Sequence, residues 1–101
     1  MDIIITKNKK QMTVTLNGKL DTMTAPALEE KLSDGLDGIE KLIFDFTELK
    51  YISSAGLRVL MPVVEIMEEQ GSIVFRNVCK DVMDVFDVTG ITDFLNFEQK
   101  R

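Results

Sequence analysis

Histidine is absent from this chain of 101 residues, tryptophan is absent too, and there is one cysteine, Cys79. Without histidine the chain lacks the usual base of serine and cysteine nucleophiles and the commonest metal ligand, which argues against those enzymes and sites. A single cysteine cannot form a disulfide within the chain, which suits a reducing compartment. We therefore expect a cytoplasmic protein that needs no metal or other cofactor.

Long apolar runs are also missing. The longest, from Val59 to Val64, is interrupted by Pro62, whereas a membrane-spanning helix needs about 20 apolar residues. Met1-Asp2 does not begin a basic segment ahead of an apolar one, so no secretory signal is expected. There are 17 acidic and 12 basic residues, a net charge of −5, which argues against nucleic acid as a direct partner. We expect neither a membrane nor a nucleic acid to be bound.

The N-terminal third has the pattern of an antiparallel strand pair. Residues 3–5 are three isoleucines, and after a polar turn every second residue is apolar at Met12, Val14 and Leu16. Alternation with a period of two is typical of a strand with one buried face. The pattern predicts a hairpin whose second strand ends at Gly18.

Helices and strands then alternate along the chain. Apolar spacing predicts a helix that is capped by Thr24, includes Leu36 and ends around Gly38. It is followed by an inner strand at 42–46, a long helix to about Gln70, a strand at 72–76, a helix closed by Gly90 and a last short strand with Leu95 and Phe97. This order predicts one α/β domain over residues 1–101, with parallel strands joined by right-handed crossovers.

Four small residues, Ser53, Ser54, Ala55 and Gly56, lie between the buried strand and the long helix. This is the edge where open α/β sheets usually bind ligands, and a helix N-terminus stabilises negative charge. A serine there is either a helix cap or a phosphorylation acceptor. From position alone, both interpretations remain open.

Residues 44–57, from Phe44-Asp45-Phe46-Thr47 to Ser53-Ser54-Ala55-Gly56-Leu57, resemble the signature of the STAS domain, and specifically that of the bacterial anti-sigma factor antagonists. Gly18-Lys19-Leu20-Asp21 is similar to the family's turn after the second strand, and Thr89-Gly90-Ile91 to the segment after its last long helix. The resemblance covers nearly the whole chain. It implies a STAS-type domain with a mixed sheet of four to five strands and helices mainly on one face.

The resemblance also implies a function, that of a binding protein rather than an enzyme. Family members bind a cytoplasmic anti-sigma factor, a serine kinase, and so release a sigma factor. The kinase switches the antagonist off by phosphorylating one serine, and a PP2C-type phosphatase reverses this. By motif position the acceptor is Ser54, and the chain is expected to be a monomer or a weak dimer. The implied partner-binding residues are Asp21, Ser53, Ser54, Ala55, Gly56, Leu57 and Arg58.

One departure from the family pattern leaves an alternative open. The family usually has aspartate immediately before the acceptor, where this chain has Ser53. Ser53 is therefore a second candidate acceptor, and the chain could instead be a STAS-type interaction module in another signalling complex, without control by phosphorylation. A hydrolase using Ser54 is disfavoured because no histidine is present. The acidic stripe of Asp81, Asp84 and Asp87 is interpreted as a solvated face, with partner contact as the alternative.

Overall fold

The computed structural model describes residues 1–33, 35–90 and 96–98. Strands and helices alternate after an initial strand pair. In chain order they are β1 (Asp2–Asn8), β2 (Gln11–Leu20), α1 (Ala25–Ser33), β3 (Lys41–Asp45), β4 (Leu49–Ile52), α2 (Ser54–Gln70), β5 (Ser72–Arg76), α3 (Lys80–Thr89) and β6 (Asn96–Glu98).

The first two strands form the predicted antiparallel hairpin. Ile3 pairs with Leu16 and Ile5 with Val14, so the alternating residues of β2 face one side of the sheet. The predicted end of this strand at Gly18 is wrong, because β2 continues to Leu20. Strand β2 pairs with one parallel neighbour up to Thr15 and with another from Gly18 onward, and its register against the second shifts between Gly18 and Lys19.

Five strands form one continuous sheet in the order β1-β2-β3-β5-β6. The pairs β2–β3, β3–β5 and β5–β6 are parallel, so the sheet is mixed, as expected. A sixth short strand, β4, pairs in parallel with the last residues of β2. The sequence pattern did not reveal β4, because its two buried residues, Leu49 and Ile52, enclose the exposed Lys50 and Tyr51 and so do not alternate.

All three helices pack on the same face of the sheet. The buried residues of α1, α2 and α3 form one apolar cluster with those of the strands. Phe44 and Phe75 stack within this cluster at a ring-centroid distance of 5.3 Å. Ile43 is buried outside the cluster and lies on the other face, since neighbouring strand residues point to opposite sides. The predicted STAS-type α/β fold, with helices mainly on one face, is confirmed.

Two of the three helices end at the glycine that the sequence pattern predicted. Helix α2 ends at Gly71, and α3 ends at Gly90, whose φ of +78° is the left-handed conformation that glycine adopts most readily. Helix α1 is shorter than expected, and the buried Leu36 lies in the turn that follows it. The predicted strand residue Leu95 lies outside the described residues. In the ranges that the structure describes, no helix is both long and apolar enough to cross a membrane.

Candidate functional site

The end of β2 and the start of α2 meet at the small-residue junction, which we define as residues 53–56. The amide of Ser53 donates a hydrogen bond of 2.9 Å to the carbonyl oxygen of Leu20, the last residue of β2. Asp21 follows Leu20 directly, so the turn after β2 lies beside the start of α2. The structure therefore brings together two of the segments that carry the family resemblance, and Thr89 of the third segment lines the same groove as Ser54.

Ser53 is the N-terminal cap of α2. Its backbone is extended, with φ −101° and ψ 174°, and its side-chain Oγ accepts a hydrogen bond of 3.4 Å from the amide of Gly56. Its carbonyl oxygen also accepts from the amide of Leu57 at 3.1 Å. The hydroxyl of Ser53 is therefore used to satisfy a free amide of the first helical turn.

Ser54 differs from Ser53 in both exposure and bonding. It is the first residue of α2 and its side chain is exposed. Within the described residues, its hydroxyl has no hydrogen-bond partner. An added group at this position therefore meets solvent and the positive end of the helix dipole, without displacing a structural contact.

Gly56 is buried where the start of α2 lies close against β2 and β4. A Cβ atom at this position would lie 2.8 Å from Leu20 Cγ and 2.9 Å from Ile52 Cγ1. Both distances are shorter than a normal contact between carbon atoms, so a side chain would push the helix away from the sheet. Gly56 and the buried Leu57 thus position the start of α2, whereas Ser54 and Arg58 present their side chains at its surface.

Asp21 holds the turn that leads into α1. One oxygen of its carboxylate, Oδ1, accepts hydrogen bonds from the amides of Met23 at 2.9 Å and Thr24 at 3.2 Å. The Thr24 hydroxyl in turn donates to the carbonyl oxygen of Lys19 at 2.8 Å. These hydrogen bonds hold a turn in which Met23 is 86% exposed to solvent. The sequence pattern gave no signal for Met23, since an exposed methionine in a turn follows no period.

Ser54 also lies in the wall of an open groove between α2 and α3, with a volume of about 350 Å³ in its larger part. We name it the α2–α3 groove. Helix α2 contributes Ser54, Leu57, Arg58 and Met61, and helix α3 contributes Asp84, Val85, Val88 and Thr89. Sequence reasoning named two residues of the α3 wall, Asp84 as a possible partner contact and Thr89 within the third segment of the family resemblance. It missed Val85 and Val88, and it did not place any of the four beside Ser54.

The two walls of the groove carry opposite charges. Arg58 lies on the α2 wall and Asp84 on the α3 wall. Asp84 accepts a hydrogen bond of 3.0 Å from Lys80. This bond and the negative charge of Asp84 raise the pKa of Lys80 above its ordinary value. Both partners remain largely exposed, so this ion pair leaves Asp84 accessible to other groups.

The described residues contain no cluster of three or more acidic, cysteine or histidine side chains placed to hold a metal. Cys79 is half-buried, and its Sγ donates to the carbonyl oxygen of Leu49 at 3.4 Å. Asp45 likewise has a structural role, because its carboxylate accepts hydrogen bonds from the amide and hydroxyl of Thr47. Both side chains therefore make structural hydrogen bonds.

Comparison with known proteins places these features in a family. The model of the STAS domain family matches residues 2–101. The anti-sigma-B factor antagonist of Bacillus subtilis is 26% identical, covering 99% of this chain and 93% of its own. BtrV of Bordetella bronchiseptica, a proposed anti-sigma factor antagonist by its name, is 32% identical, covering 100% of this chain and 89% of its own. Both names describe binding regulators, which supports the expectation that the chain is not an enzyme.

Solved structures show the same fold. The anti-sigma factor antagonist SpoIIAA in its unphosphorylated form superimposes with a TM-score of 0.85 at 17% identity, covering 99% of this chain and 89% of its own. The phosphorylated form of SpoIIAA from Bacillus gives a TM-score of 0.78 at 16% identity, with 99% and 92% covered. SpoIIAA has therefore been solved in both states on this fold.

Proposed function

Because the chain belongs to the STAS domain family, we propose that it is an anti-sigma factor antagonist, which binds an anti-sigma factor and thereby releases a sigma factor. Two relatives of nearly the same length carry that name. The observation that carries the proposal on this chain is the junction itself. It presents an exposed serine without a structural bond at the start of a helix that Gly56 holds against the sheet.

The proposal includes a switch at Ser54. The partner is an anti-sigma factor with serine kinase activity, and a PP2C-type phosphatase restores the unmodified form in the cytoplasm. A phosphate adds a charge of roughly −1.5 to −2 and three strong acceptor oxygens. At Ser54 it would sit at the helix N-terminus, where negative charge is stabilised. The fold then stays intact while the binding surface gains negative charge, and binding of the partner is lost.

Ser54 is preferred over Ser53 as the acceptor for a physical reason. The Ser53 hydroxyl caps α2 through Gly56, so a phosphate on it would remove or rearrange a cap. The Ser54 side chain is exposed and carries no such contact. Support for a phosphorylated state on this fold comes from SpoIIAA, which has been solved in both forms.

A second candidate function is a STAS-type interaction module that is not controlled by phosphorylation. The observation that favours it is Ser53, which stands where the family pattern usually has aspartate next to the acceptor. In this alternative the junction binds a partner constitutively. It predicts binding of an anti-sigma factor or another signalling protein without any transfer of phosphate.

Kinase assays separate the two candidates. The anti-sigma factor captured on the immobilised chain from its own cells is purified and incubated with the chain and labelled ATP. We expect phosphate on the unaltered chain and on Ser53→Ala, and none on Ser54→Ala. Binding without phosphate incorporation would favour the second candidate. If no anti-sigma factor binds the chain, both the switch and the antagonist function are wrong.

A further inference from the structure

The α2–α3 groove has the geometry of a site for a helix. Its apolar lining residues follow helical spacing on both walls, with Leu57 and Met61 on α2 and Val85 and Val88 on α3. Val88 is 88% exposed, which leaves an aliphatic side chain in water beside an apolar floor. A groove between two helices, lined by apolar side chains one turn apart, matches the way an amphipathic helix is bound by its partner.

The opposite charges on the two walls indicate which charge pattern a bound helix needs. Arg58 offers positive charge on the α2 wall. Asp84 offers negative charge on the α3 wall, and Asp81 and Asp87 lie one turn away from it on the same exposed stripe. An occupant complementary to both walls needs acidic side chains along one edge of its apolar stripe and basic side chains along the other. Charge arranged in this way sets orientation and favours the right partner over others.

We propose that the α2–α3 groove is a docking site for an amphipathic helix of the anti-sigma factor, with an apolar stripe flanked by acidic residues facing Arg58 and basic residues facing Asp84. This inference rests on the proposed function. It adds α3 to a binding surface that the sequence motif confines to α2 and the turn at Asp21. Asp84 of the acidic stripe thereby becomes part of the interface.

The groove also connects docking to the switch. Ser54 lies in the wall of both parts of the groove. A phosphate there meets the acidic edge of the docked helix, so like charges oppose each other. It also requires the phosphate to lose water against Leu57, a desolvation cost that an ion pair with the exposed Arg58 offsets only in part. Phosphorylation thus acts on the groove directly and needs no change in the fold.

A pair of matched variants tests the site with the anti-sigma factor. Val88→Glu adds one carboxylate to the α3 wall, and Ile4→Glu adds the same carboxylate to another exposed aliphatic residue. Ile4 is 51% exposed on the edge strand β1, where it pairs with Thr15 away from the helices. We expect Val88→Glu to weaken binding by roughly tenfold or more, as for a central interface contact, and Ile4→Glu by less than about twofold.

Circular dichroism establishes that both variants are folded, and because both side chains are exposed, both are expected to be. Equal affinity of Val88→Glu and the unaltered chain, together with loss of binding by Ser54→Asp, would overturn the groove proposal and leave the antagonist function standing. Loss of binding by both glutamate variants alike would also overturn it, since the effect would then be independent of position.

A peptide assay decides the question without the natural partner. The probe is a helical peptide of about 16 residues with leucines at helical spacing, flanked by glutamate on one side and lysine on the other. Its control has serine at every leucine position. We expect the leucine peptide to shift the backbone NMR signals of Leu57, Val85 and Val88 in the labelled chain, and the serine peptide to leave them unchanged. Shifts confined to other surfaces, or equal shifts with both peptides, would overturn the proposal.

Discussion

The phenylalanine cluster under the sheet and the small-residue junction at the start of α2 are both closely packed, but by opposite means. In the cluster, Phe75 contacts Phe44, Phe46 and Phe86 at centroid distances of 5.3, 5.4 and 5.7 Å, so large side chains fill the space. At the junction, the backbone of Gly56 approaches Leu20 so closely that no side chain fits.

The two regions therefore serve different ends. Bulky rings bury apolar area and hold the helices on the sheet, and so stabilise the fold. Small residues let a helix begin beside the end of a strand, and so place its first side chain at the surface. Substitutions in the cluster should change the free energy of unfolding. Substitutions at the surface of the junction should change the affinity for the partner.

Phe75→Ala should have the largest effect on stability. The ring is fully buried, and its removal leaves a cavity among four other rings, so we expect a loss of about 3–5 kcal/mol in the free energy of unfolding. Urea denaturation measures it. Tyr51→Ala serves as the control, since Tyr51 is 47% exposed, and should cost no more than about 1 kcal/mol. Equal costs would show that the cluster does not dominate stability.

Gly56→Ala sharpens the comparison, because it adds bulk where the junction has none. The new methyl group would clash with Leu20 and Ile52, and we expect a cost of about 1–3 kcal/mol from overpacking. Leu20→Ala removes one of the clashing groups. The double variant should therefore cost less than the sum of the two single ones, as neighbours in contact are not additive. Strict additivity in urea denaturation would contradict the clash.

Much of the fold follows from local patterns. The alternation of Met12, Val14 and Leu16 marks β2 because one side of the sheet is buried and the other is not. Gly71 and Gly90 mark the ends of α2 and α3. The short strand β4 could not be predicted in this way, since its pairing with β2 depends on a shift in register after Gly18 that only the folded chain shows.

One part of the candidate site could likewise be predicted from the sequence, and the other part could not. The junction is continuous in sequence, so its small residues and the resemblance to the STAS signature can be recognised from the order of residues alone. The α3 wall of the groove is distant in sequence and meets Ser54 only through tertiary packing. The family resemblance indicates Ser54 as the acceptor, but the physical difference between the two serines appears only in the folded chain, where Ser53 caps α2 and Ser54 is exposed.

Ser53→Ala should have a smaller effect than the glycine change. It removes the cap on the Gly56 amide, which costs about 1 kcal/mol in helix caps generally. Ser54→Ala removes no hydrogen bond and should change stability by less than about 0.5 kcal/mol. Thermal unfolding of the two variants side by side checks this difference. If Ser54→Ala were the more destabilising, the assignment of the cap would be wrong.

Phosphate on Ser54 should have a small and favourable effect on stability. Negative charge at a helix N-terminus contributes about 0.3–1 kcal/mol, and Arg58, four residues further along the helix, adds about 0.2–0.5 kcal/mol as an ion pair. Urea denaturation of the phosphorylated chain, with and without Arg58→Gln, measures both contributions. A destabilised phosphorylated chain would mean that the phosphate disrupts the start of α2.

Phosphorylation of Ser54 is expected to weaken binding of the anti-sigma factor while the fold persists. The direct measurement is the affinity of the anti-sigma factor for the unmodified chain and for the chain carrying phosphoserine at position 54, determined by calorimetry at the same ionic strength. We expect binding at least about tenfold weaker for the phosphorylated chain, a difference of about 1.4 kcal/mol, with unchanged circular dichroism. Equal affinities of the two forms would contradict a switch at Ser54.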